Sequence, residues 1–422
     1  MLPRMADATR DPVAERLRRR SIRTLIAGVA LGSTGHIAAV TVASLAAQDL
    51  GGSSAWAGVP GAAVVLGAAV GAPTLSWLMV RTGRRTGLVS GYSVGVLGAM
   101  IAVTALVVRS FPLLILGTVL IGFANSANTL SRYVAADLVP YARRASALSL
   151  VVWGATLGAI VGPNLVSVAG DAATALGLPR LAGAYLLPAV FVTAAAVLSF
   201  ALLRPDPYDL ADPSEMREED DHEGDPIRAL LRRPSVWLAL MALVSVQVVM
   251  VLVMTMTPLH MMDNGHDLAA VGFVLSAHTF GMYALSPISG RLTDRFGGSP
   301  VIVAGLLISG GAAALSAMAP ADGGSLLTLA LFLLGFGWSL GYVAGSAAIT
   351  GGLTLRERTR LQGWTDSLIW SSAAVASLGS GLIVAWAGFA ALGLLGAALV
   401  VVPAWIIVAR HDHLVGIGEP AV

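Results

Sequence analysis

Near residue 290 the chain reads Gly290-Arg-Leu-Thr-Asp-Arg-Phe-Gly297, and 214 residues earlier an imperfect copy reads Ser76-Trp-Leu-Met-Val-Arg-Thr-Gly83-Arg-Arg. The offset is close to half of the 422-residue chain. Each copy is a short polar stretch between two long apolar ones. A repeat at this spacing indicates that the chain consists of two structurally related halves. The second copy has Asp294 where the first has Val80, so the two loops differ chemically.

The composition is that of a membrane protein. Hydrophobic residues make up 56% of the chain and charged residues 12%, and the mean hydropathy is +0.79. A soluble domain contains about 25% charged residues. The 48 glycines suit helices that pack closely in lipid, where small residues let backbones approach one another. We therefore predict an all-α, polytopic membrane protein.

Twelve apolar runs have the length of about 20 residues that is needed to cross a bilayer. We place these spans at roughly 22–46, 57–79, 86–108, 111–131, 145–169, 182–203, 235–259, 270–289, 300–319, 325–350, 362–386 and 388–409. The expected domains are an N-terminal six-helix bundle (1–203, with a tail at 1–21), a flexible cytoplasmic linker (204–234) and a C-terminal six-helix bundle (235–422). An acidic run at 218–223 within the linker is expected to be solvated.

The arginines predict the orientation in the membrane. All 26 basic residues are arginine, and with both termini inside only Arg109 and Arg180 lie outside, which leaves 24 at the cytoplasmic face. Positive residues are enriched in cytoplasmic loops. We therefore predict a multi-pass protein of the cytoplasmic membrane with cytoplasmic N- and C-termini. The net charge of +2 does not indicate a nucleic-acid partner.

The repeated loops carry a resemblance to the major facilitator superfamily, because both follow the second span of their half, where that family has its signature loop. The matching residues are Gly290, Asp294, Arg295 and Gly297 in the second copy and Arg81, Gly83, Arg84 and Arg85 in the first. The segment Asp137-Leu-Val-Pro140-x-x-Arg143-Arg144 after span 4 is similar to a loop of many members. Span 5 contains Gly154, Gly158, Gly162 and Pro163, which resemble the family's antiporter motif.

The resemblance implies two pseudo-symmetric six-helix bundles around a central cavity that opens alternately to either side. Spans 1, 4, 7 and 10 would line the cavity. Polar groups inside a membrane are costly unless they face protein or water. The candidate polar residues lie in spans 1, 4, 7, 8 and 11 and are His36, Asn125, Asn128, Gln247, His278 and Asp366. This distribution agrees with the implied architecture.

In the family, the aspartate of the signature loop caps a helix of the opposite bundle and latches the cytoplasmic side shut. The resemblance therefore implies that Asp294 faces the N-terminus of span 5. It also implies that Arg84 pairs with Asp137 at the end of span 4. We expect Asp294→Asn to shift the balance between the inward-open and outward-open states and Val80→Asp to strengthen cytoplasmic closure.

The glycines of span 5 form a smooth strip at four-residue spacing that ends in Pro163, which bends a helix. We expect the strip to pack against the opposite bundle. The resemblance connects this motif with exporters that exchange substrate for protons. Close packing alone explains it equally well.

Three residues are candidates for proton coupling. Asp366 lies about one turn into span 11, where a low dielectric favours the neutral acid. The alternative is an ionised Asp366 stabilised by the helix dipole. His36 and His278 lie near the middles of spans 1 and 8, and histidine titrates near neutral pH. Each is equally explained as a neutral histidine bonded to a neighbouring hydroxyl.

Two groups of residues are candidates for the substrate cavity. Asn125, Asn128 and Arg132 follow i, i+3, i+7 spacing on one face of span 4, where they would hold an anionic or zwitterionic ligand or pair with an acid such as Asp137 or Asp366. A helix–helix contact is the alternative. The second group consists of Gln247, Trp338 and Tyr342. These side chains would provide hydrogen bonds and aromatic walls for an amphipathic substrate, and ordinary packing among them is the alternative.

The expected function is secondary active transport, with export of a small amphipathic molecule in exchange for protons ahead of proton-coupled uptake of a nutrient or metabolite. An intramembrane enzyme is not expected, because no His-Glu-x-x-His or Gly-x-Ser-x-Gly motif occurs. We predict a monomer in the lipid bilayer, without a cofactor. His260, Asp263 and His266 are metal-ligand types without metal-ligand spacing, so no metal site is predicted.

Overall fold

The computed structural model describes residues 12–51, 56, 58–211, 225–320, 324–351 and 353–410, which are largely helical. The acidic run 218–223 lies outside the described residues. The first six long helices form the N-terminal bundle: α1 Pro12–Gly51, α2 Val59–Thr82, α3 Arg84–Val107, α4 Phe111–Asp137, α5 Arg144–Ala175 and α6 Ala182–Leu202. Their apolar side chains form two clusters, and the second half forms one large cluster. The clusters exchange a few residues where the halves meet, since Val152 belongs to the large cluster and Val343 and Ala347 to an N-terminal one.

The C-terminal bundle begins with α7 Pro234–Asp263. Helix α8 consists of three consecutive pieces, which are Leu268–Thr279, a π-helical segment Phe280–Ala284 and Ser286–Phe296. Two regular helices follow, α9 Gly298–Ala317 and α10 Gly324–Ala348.

The last apolar stretch contains two spans. Helical residues run from Leu355 to Leu399 and continue as Val401–Ala409, but Gly388 has a non-helical φ of 81°. An unbroken helix of 55 residues would be roughly 80 Å long, far more than the bilayer core. We name the part before Gly388 α11 and the part after it α12. The described residues thus contain eleven helical runs long and apolar enough to span, the last of which includes two of the twelve predicted spans.

Several helices continue more than one turn beyond the predicted spans. Helix α1 begins at Pro12 rather than 22, so the described part of the predicted tail is helical. Helix α4 continues to Asp137 and α5 to Ala175. Hydropathy detects only the part of a helix inside lipid, whereas backbone hydrogen bonding continues into the polar interface.

The two bundles meet where α2 packs on α11 and α5 packs on α8. Glycines on α8 and α11 permit this approach. A Cβ at Gly363 would lie 2.6 Å from Cβ of Ser76, and one at Gly290 would overlap Oγ of Ser149. Larger side chains at these two positions would therefore hold the bundles apart.

The glycine strip of α5 packs differently from the prediction. Cβ atoms at Gly158 and Gly162 would lie 2.5 Å from Ser33 and 2.9 Å from the carbonyl oxygen of Thr34. Both neighbours belong to α1, as does Ile26 beside Gly154, so the strip contacts its own bundle. The expected contact with the opposite bundle was wrong, because a different face of α5, containing Ser149, lies against α8. Pro163 does not end the helix.

Candidate functional site

The two repeated loops are tight turns built on one glycine each. Gly83 separates α2 from α3 with φ of 95°, and Gly297 separates α8 from α9 with φ of 84°. Glycine adopts such positive φ values at no steric cost. Both turns lie at the same end of the molecule, which we call the signature-loop end and predict to be cytoplasmic.

In the second loop, the carboxylate of Asp294 lies at the N-terminus of α5. Its oxygens accept hydrogen bonds from the backbone N–H groups of Ala145 (3.1 Å) and Ser146 (3.0 Å). These donors have no partner within the helix, and the helix dipole favours a negative charge beside them. The predicted contact across the bundles is present. Arg144 adds a second contact, because its guanidinium donates to the carbonyl of Thr350 at 3.0 Å.

In the first loop, the contact across the bundles is made by Arg84. Its buried guanidinium forms an ion pair with Asp137, as expected, and donates to Oε1 of Gln362 on α11 at 3.3 Å. Arg358 of α11 lies 3.9 Å from the same aspartate. Asp137 thus compensates two buried cations, one from each bundle.

An acid that the sequence did not single out completes the first loop. Asp206, in the segment after α6, accepts hydrogen bonds from the backbone N–H groups of Arg84 and Arg85, both at 3.0 Å. It therefore caps α3. A Cβ at Gly83 would lie 2.5 Å from Oδ2 of Asp206, so this contact requires glycine. The described start of the predicted linker is consequently attached to the bundle, and Pro207–Leu210 forms a short 3₁₀ helix.

The remaining charged loop residues do not cross between the bundles. The guanidinium of Arg81 lies 4.0 Å from the ring of Trp77. Arg295 similarly lies 5.2 Å above Phe296. Arg85 contributes its backbone N–H to the cap, while its side chain lies over a ring of α6.

Deeper between the bundles, Arg132 of α4 pairs with Asp366 of α11. The guanidinium donates to both carboxylate oxygens, at 2.6 and 3.2 Å, and each side chain is 2% exposed. Of the partners considered for Arg132, the structure selects Asp366. Two bonds in parallel fix the geometry and suit a buried pair. The guanidinium also lies 4.4 Å from the ring of Tyr342.

An aromatic cluster, defined by Tyr283, Trp338 and Tyr342, continues from this ion pair. Trp338 and Tyr342 stack with centroids 4.2 Å apart, and Tyr283 meets Trp338 edge-on at 6.0 Å. Trp338 donates its indole N–H to Oε1 of Gln247 at 2.8 Å. Tyr283 belongs to the π-helical segment of α8, a type of irregularity frequent at functional sites. Periodicity along the sequence cannot reveal that segment.

The candidate histidines lie apart from the ion pair. Nδ1 of His278 lies 2.8 Å from the carbonyl oxygen of Leu331, so this buried side chain faces α10 of its own bundle. Nδ1 of His36 is buried, and no hydrogen-bond partner for it occurs within the described ranges.

Of the two asparagines of α4, Asn128 contacts helices of its own bundle. Oδ1 of Asn128 accepts from the hydroxyl of Tyr92 at 3.0 Å, and its side chain fills the space beside Gly32 on α1. The amide nitrogens of Asn125 and Asn128 are buried and lack a hydrogen-bond acceptor in the part of the chain that the structure describes. Unpaired buried donors are costly, so these amides are suited to meet a ligand.

Comparison with known proteins covers nearly the whole chain. The family model described as Major Facilitator Superfamily matches residues 24–267 and 249–419. The uncharacterized MFS-type transporter YdeG of Bacillus subtilis is 38% identical over 374 residues, 87% of this chain and 86% of that one. The riboflavin transporter RfnT of Brucella anthropi is 30% identical over 388 residues, 91% of this chain and 95% of that one.

Solved structures share the fold at low sequence identity. The human organic anion transporter MFSD10 superposes with a TM-score of 0.74 at 17% identity, covering 92% of this chain and 99% of that one. The Escherichia coli fucose:proton symporter FucP gives 0.69 at 16% identity, covering 92% and 98%. The fold is that of twelve-helix transporters. The family match and the curated relatives show that the protein is a multi-pass membrane transporter and not an enzyme. Its sequence and its fold together establish that the chain belongs to the major facilitator superfamily.

Proposed function

We propose that this protein exports a small amphipathic molecule in exchange for protons, by alternating access. The observation that carries the proposal is the buried pair of Arg132 and Asp366, which joins the bundles between the signature-loop end and the aromatic cluster. A buried ion pair is strongly destabilised when one partner loses its charge. Protonation of Asp366 would therefore weaken the junction of α4 with α11.

The pair can act as a proton-operated switch. With Asp366 ionised, the pair and the Asp294 cap hold the signature-loop end closed. A proton that arrives from the open side neutralises Asp366, and the bundles can then part at the closed end. Release of the proton on that side restores the charge and the pair. Protons then move inward while the substrate moves outward, as exchange requires.

Asp366 is the preferred proton carrier because, of the three candidates, it is the one whose side chain forms an ion pair across the bundles, with Arg132. His278 bonds a carbonyl of its own bundle. No ion pair of His36 occurs among the described residues, so its protonation would leave a partly buried cation without a counter-charge.

The aromatic cluster supports a planar substrate. Stacked Trp338 and Tyr342 offer flat apolar faces, and Gln247 is fixed beside them by the indole N–H. The buried amide nitrogens of Asn125 and Asn128 on α4 are further candidate donors to a substrate, because no described residue accepts a hydrogen bond from them. The relative from Brucella anthropi is named for riboflavin, a planar heteroaromatic ring with a polyhydroxyl chain. We therefore propose planar heteroaromatic molecules with polar substituents as the substrate class.

Uptake is the second candidate function, since the same switch serves co-transport when substrate and proton travel together. Inverted membrane vesicles with an acidic interior separate the two directions, with riboflavin fluorescence as the readout. Accumulation inside these vesicles supports export. Loss of preloaded riboflavin under the same gradient contradicts export and supports uptake.

Coupling is tested with Asp366→Asn, with His278→Asn as the matched control. We expect Asp366→Asn to abolish the response to the pH gradient, while riboflavin still binds the purified protein. His278→Asn is expected to keep the response. Unchanged coupling in Asp366→Asn would show that another group carries the proton. For the binding site, Trp338→Leu should weaken riboflavin binding about five-fold or more, because loss of one stacking contact amounts to about 1–3 kcal/mol.

A further inference from the structure

We propose that a groove between α1 and α6 at the signature-loop end binds one anionic phospholipid. The groove has a volume of about 250 Å³ and is lined by Arg20, Arg23, Thr24, Ala27, Leu198 and Leu202. It lies on the N-terminal bundle, outside the transport site and the two loops. The proposal is therefore independent of substrate and direction of transport.

Two arginines at the mouth of the groove are available for a phosphate. Arg20 and Arg23 are exposed, follow i, i+3 spacing on α1, and make no side-chain hydrogen bond or ion pair with any described residue. Their neighbours are engaged. Arg18 donates to the carbonyl of Leu210 at 2.9 Å, and Arg19 pairs with Glu15 at 2.8 Å. Guanidinium groups bind phosphate oxygens in a bidentate manner, so this pair suits a phosphodiester.

Apart from Thr24, whose hydroxyl donates to the carbonyl of Arg20 at 3.0 Å, the rest of the groove is apolar and lies toward the middle of the span. Leu198 and Leu202 follow i, i+4 spacing on α6, and Ala27 lies two turns beyond Arg20 on α1. The charged mouth thus lies where the helices reach the polar interface, and the apolar walls lie deeper. A phospholipid has this same order of head group and acyl chain, whereas a free anion would gain nothing from the leucines.

The experiment compares phosphatidylglycerol with phosphatidylcholine by native mass spectrometry of the full-length protein in detergent. The double variant R20Q/R23Q removes the groove arginines. The control R16Q/R19Q removes the same charge from exposed neighbours outside the groove. We expect phosphatidylglycerol to bind R20Q/R23Q about thirty-fold more weakly, since each basic residue at an anionic surface contributes roughly a factor of five. The control should stay within about two-fold of the unaltered protein, as its arginines lie outside the groove.

Two further measurements distinguish a lipid from a free anion. Leu198→Asn should weaken phosphatidylglycerol binding, and inorganic phosphate should not raise the melting temperature as phosphatidylglycerol does. Equal binding of both lipids, or an equal loss in R16Q/R19Q, would overturn the proposal. The proposal would also be overturned if inorganic phosphate raised the melting temperature as phosphatidylglycerol does and Leu198→Asn bound phosphatidylglycerol as well as the unaltered protein. The substituted arginines are exposed, so the lipid-free melting temperatures of both double variants should match that of the unaltered protein.

Discussion

The two signature loops have the same backbone and use opposite charges to join the bundles. Each turns on one glycine of positive φ, at Gly83 and Gly297. The second loop reaches across with the carboxylate of Asp294, which binds the N-terminus of α5. The first loop reaches across with the guanidinium of Arg84, which binds Gln362 of α11. Pseudo-symmetry therefore fixes where the bundles meet but not which chemistry joins them.

The difference extends to the helix that follows each loop. Helix α3 is capped by Asp206, which lies beyond the end of α6, whereas α9 begins with Gly298 and has no arginine to correspond to Arg84. A buried ionic network thus joins α3 and α4 to α11, while the Asp294 cap joins α8 to α5 and Arg144 joins α5 to the segment after α10. Removing one partner of a buried ion pair destabilises a protein more than removing a helix cap does.

The largest expected effect comes from Arg84→Ala. It leaves Asp137 buried with only the more distant Arg358 as counter-charge, and loss of one partner of a buried pair costs about 3–5 kcal/mol. We expect a large drop in the denaturation midpoint in detergent. The control Arg81→Ala, an exposed residue of the same loop, should change stability by less than about 0.5 kcal/mol. Equal losses in both variants would show that the ionic network is not what stabilises this junction.

The next effect compares Gly83→Ala with Gly297→Ala. Both place a Cβ on a residue that combines positive φ with ψ of about 165°, a region essentially restricted to glycine, which costs roughly 1–3 kcal/mol. Only at Gly83 would the Cβ also meet Asp206, because the space around Gly297 is open. We therefore expect Gly83→Ala to lower the denaturation midpoint further than Gly297→Ala.

A double-mutant cycle identifies the cause of that difference. When Asp206 is already alanine, Gly83→Ala should lower the denaturation midpoint only as much as Gly297→Ala does, because the carboxylate that would clash with the new Cβ is absent. If Gly83→Ala stays the more damaging change in that background, the cap of α3 does not account for the difference between the loops.

These contacts also show what the sequence alone can predict. The twelve spans, the two bundles and the positions of Asp294 and Arg84 could be predicted, because hydropathy and a repeated motif are local features of the chain. The partners Asp206 and Gln362 lie 122 and 278 residues from Arg84 and belong to no repeated pattern. Only the packed structure brings them to the loop.

The glycine strip of α5 shows a second limit. Its spacing predicts that some helix will pack closely, but a strip of small residues carries no information about which helix. The structure places Gly158 on α1, while Gly290 of α8 contacts a different face of α5. The Arg132–Asp366 pair was one of several alternatives for the same reason, since spacing places residues on a face and packing decides the partner.

A smaller effect is expected from Asp294→Asn. It keeps the shape of the cap but removes the negative charge from the N-terminus of α5, which is worth roughly 0.3–1 kcal/mol. We expect up to about a five-fold shift toward the state open at the signature-loop end. Distances between spin labels at Arg16 and Arg410 measure it, and the chain has no cysteine to interfere with labelling. An unchanged distance distribution would show that Asp294 does not act as a latch.

The smallest effect is expected from Val80→Asp, which restores the missing carboxylate of the first loop. The sequence predicts stronger closure, but the structure changes that expectation. Pseudo-symmetry directs the new acid to the N-terminus of α11, where Thr354 and Glu357 already form a reciprocal cap, with bonds of 3.3 and 3.1 Å. Glu357 is buried and would repel a second carboxylate.

We therefore expect the label distances in Val80→Asp to match those of the unaltered protein. The double variant V80D/E357Q, which removes the competing charge, should instead close the signature-loop end. If Val80→Asp alone instead closes that end as strongly as Asp294 does, the N-termini of α5 and α11 accept a carboxylate equally well. In that case the two loops differ only in the residue at position 80. If neither variant closes that end, the contact of α11 with the N-terminal bundle there depends on the Arg84 network, and a carboxylate in the first loop has no latching role.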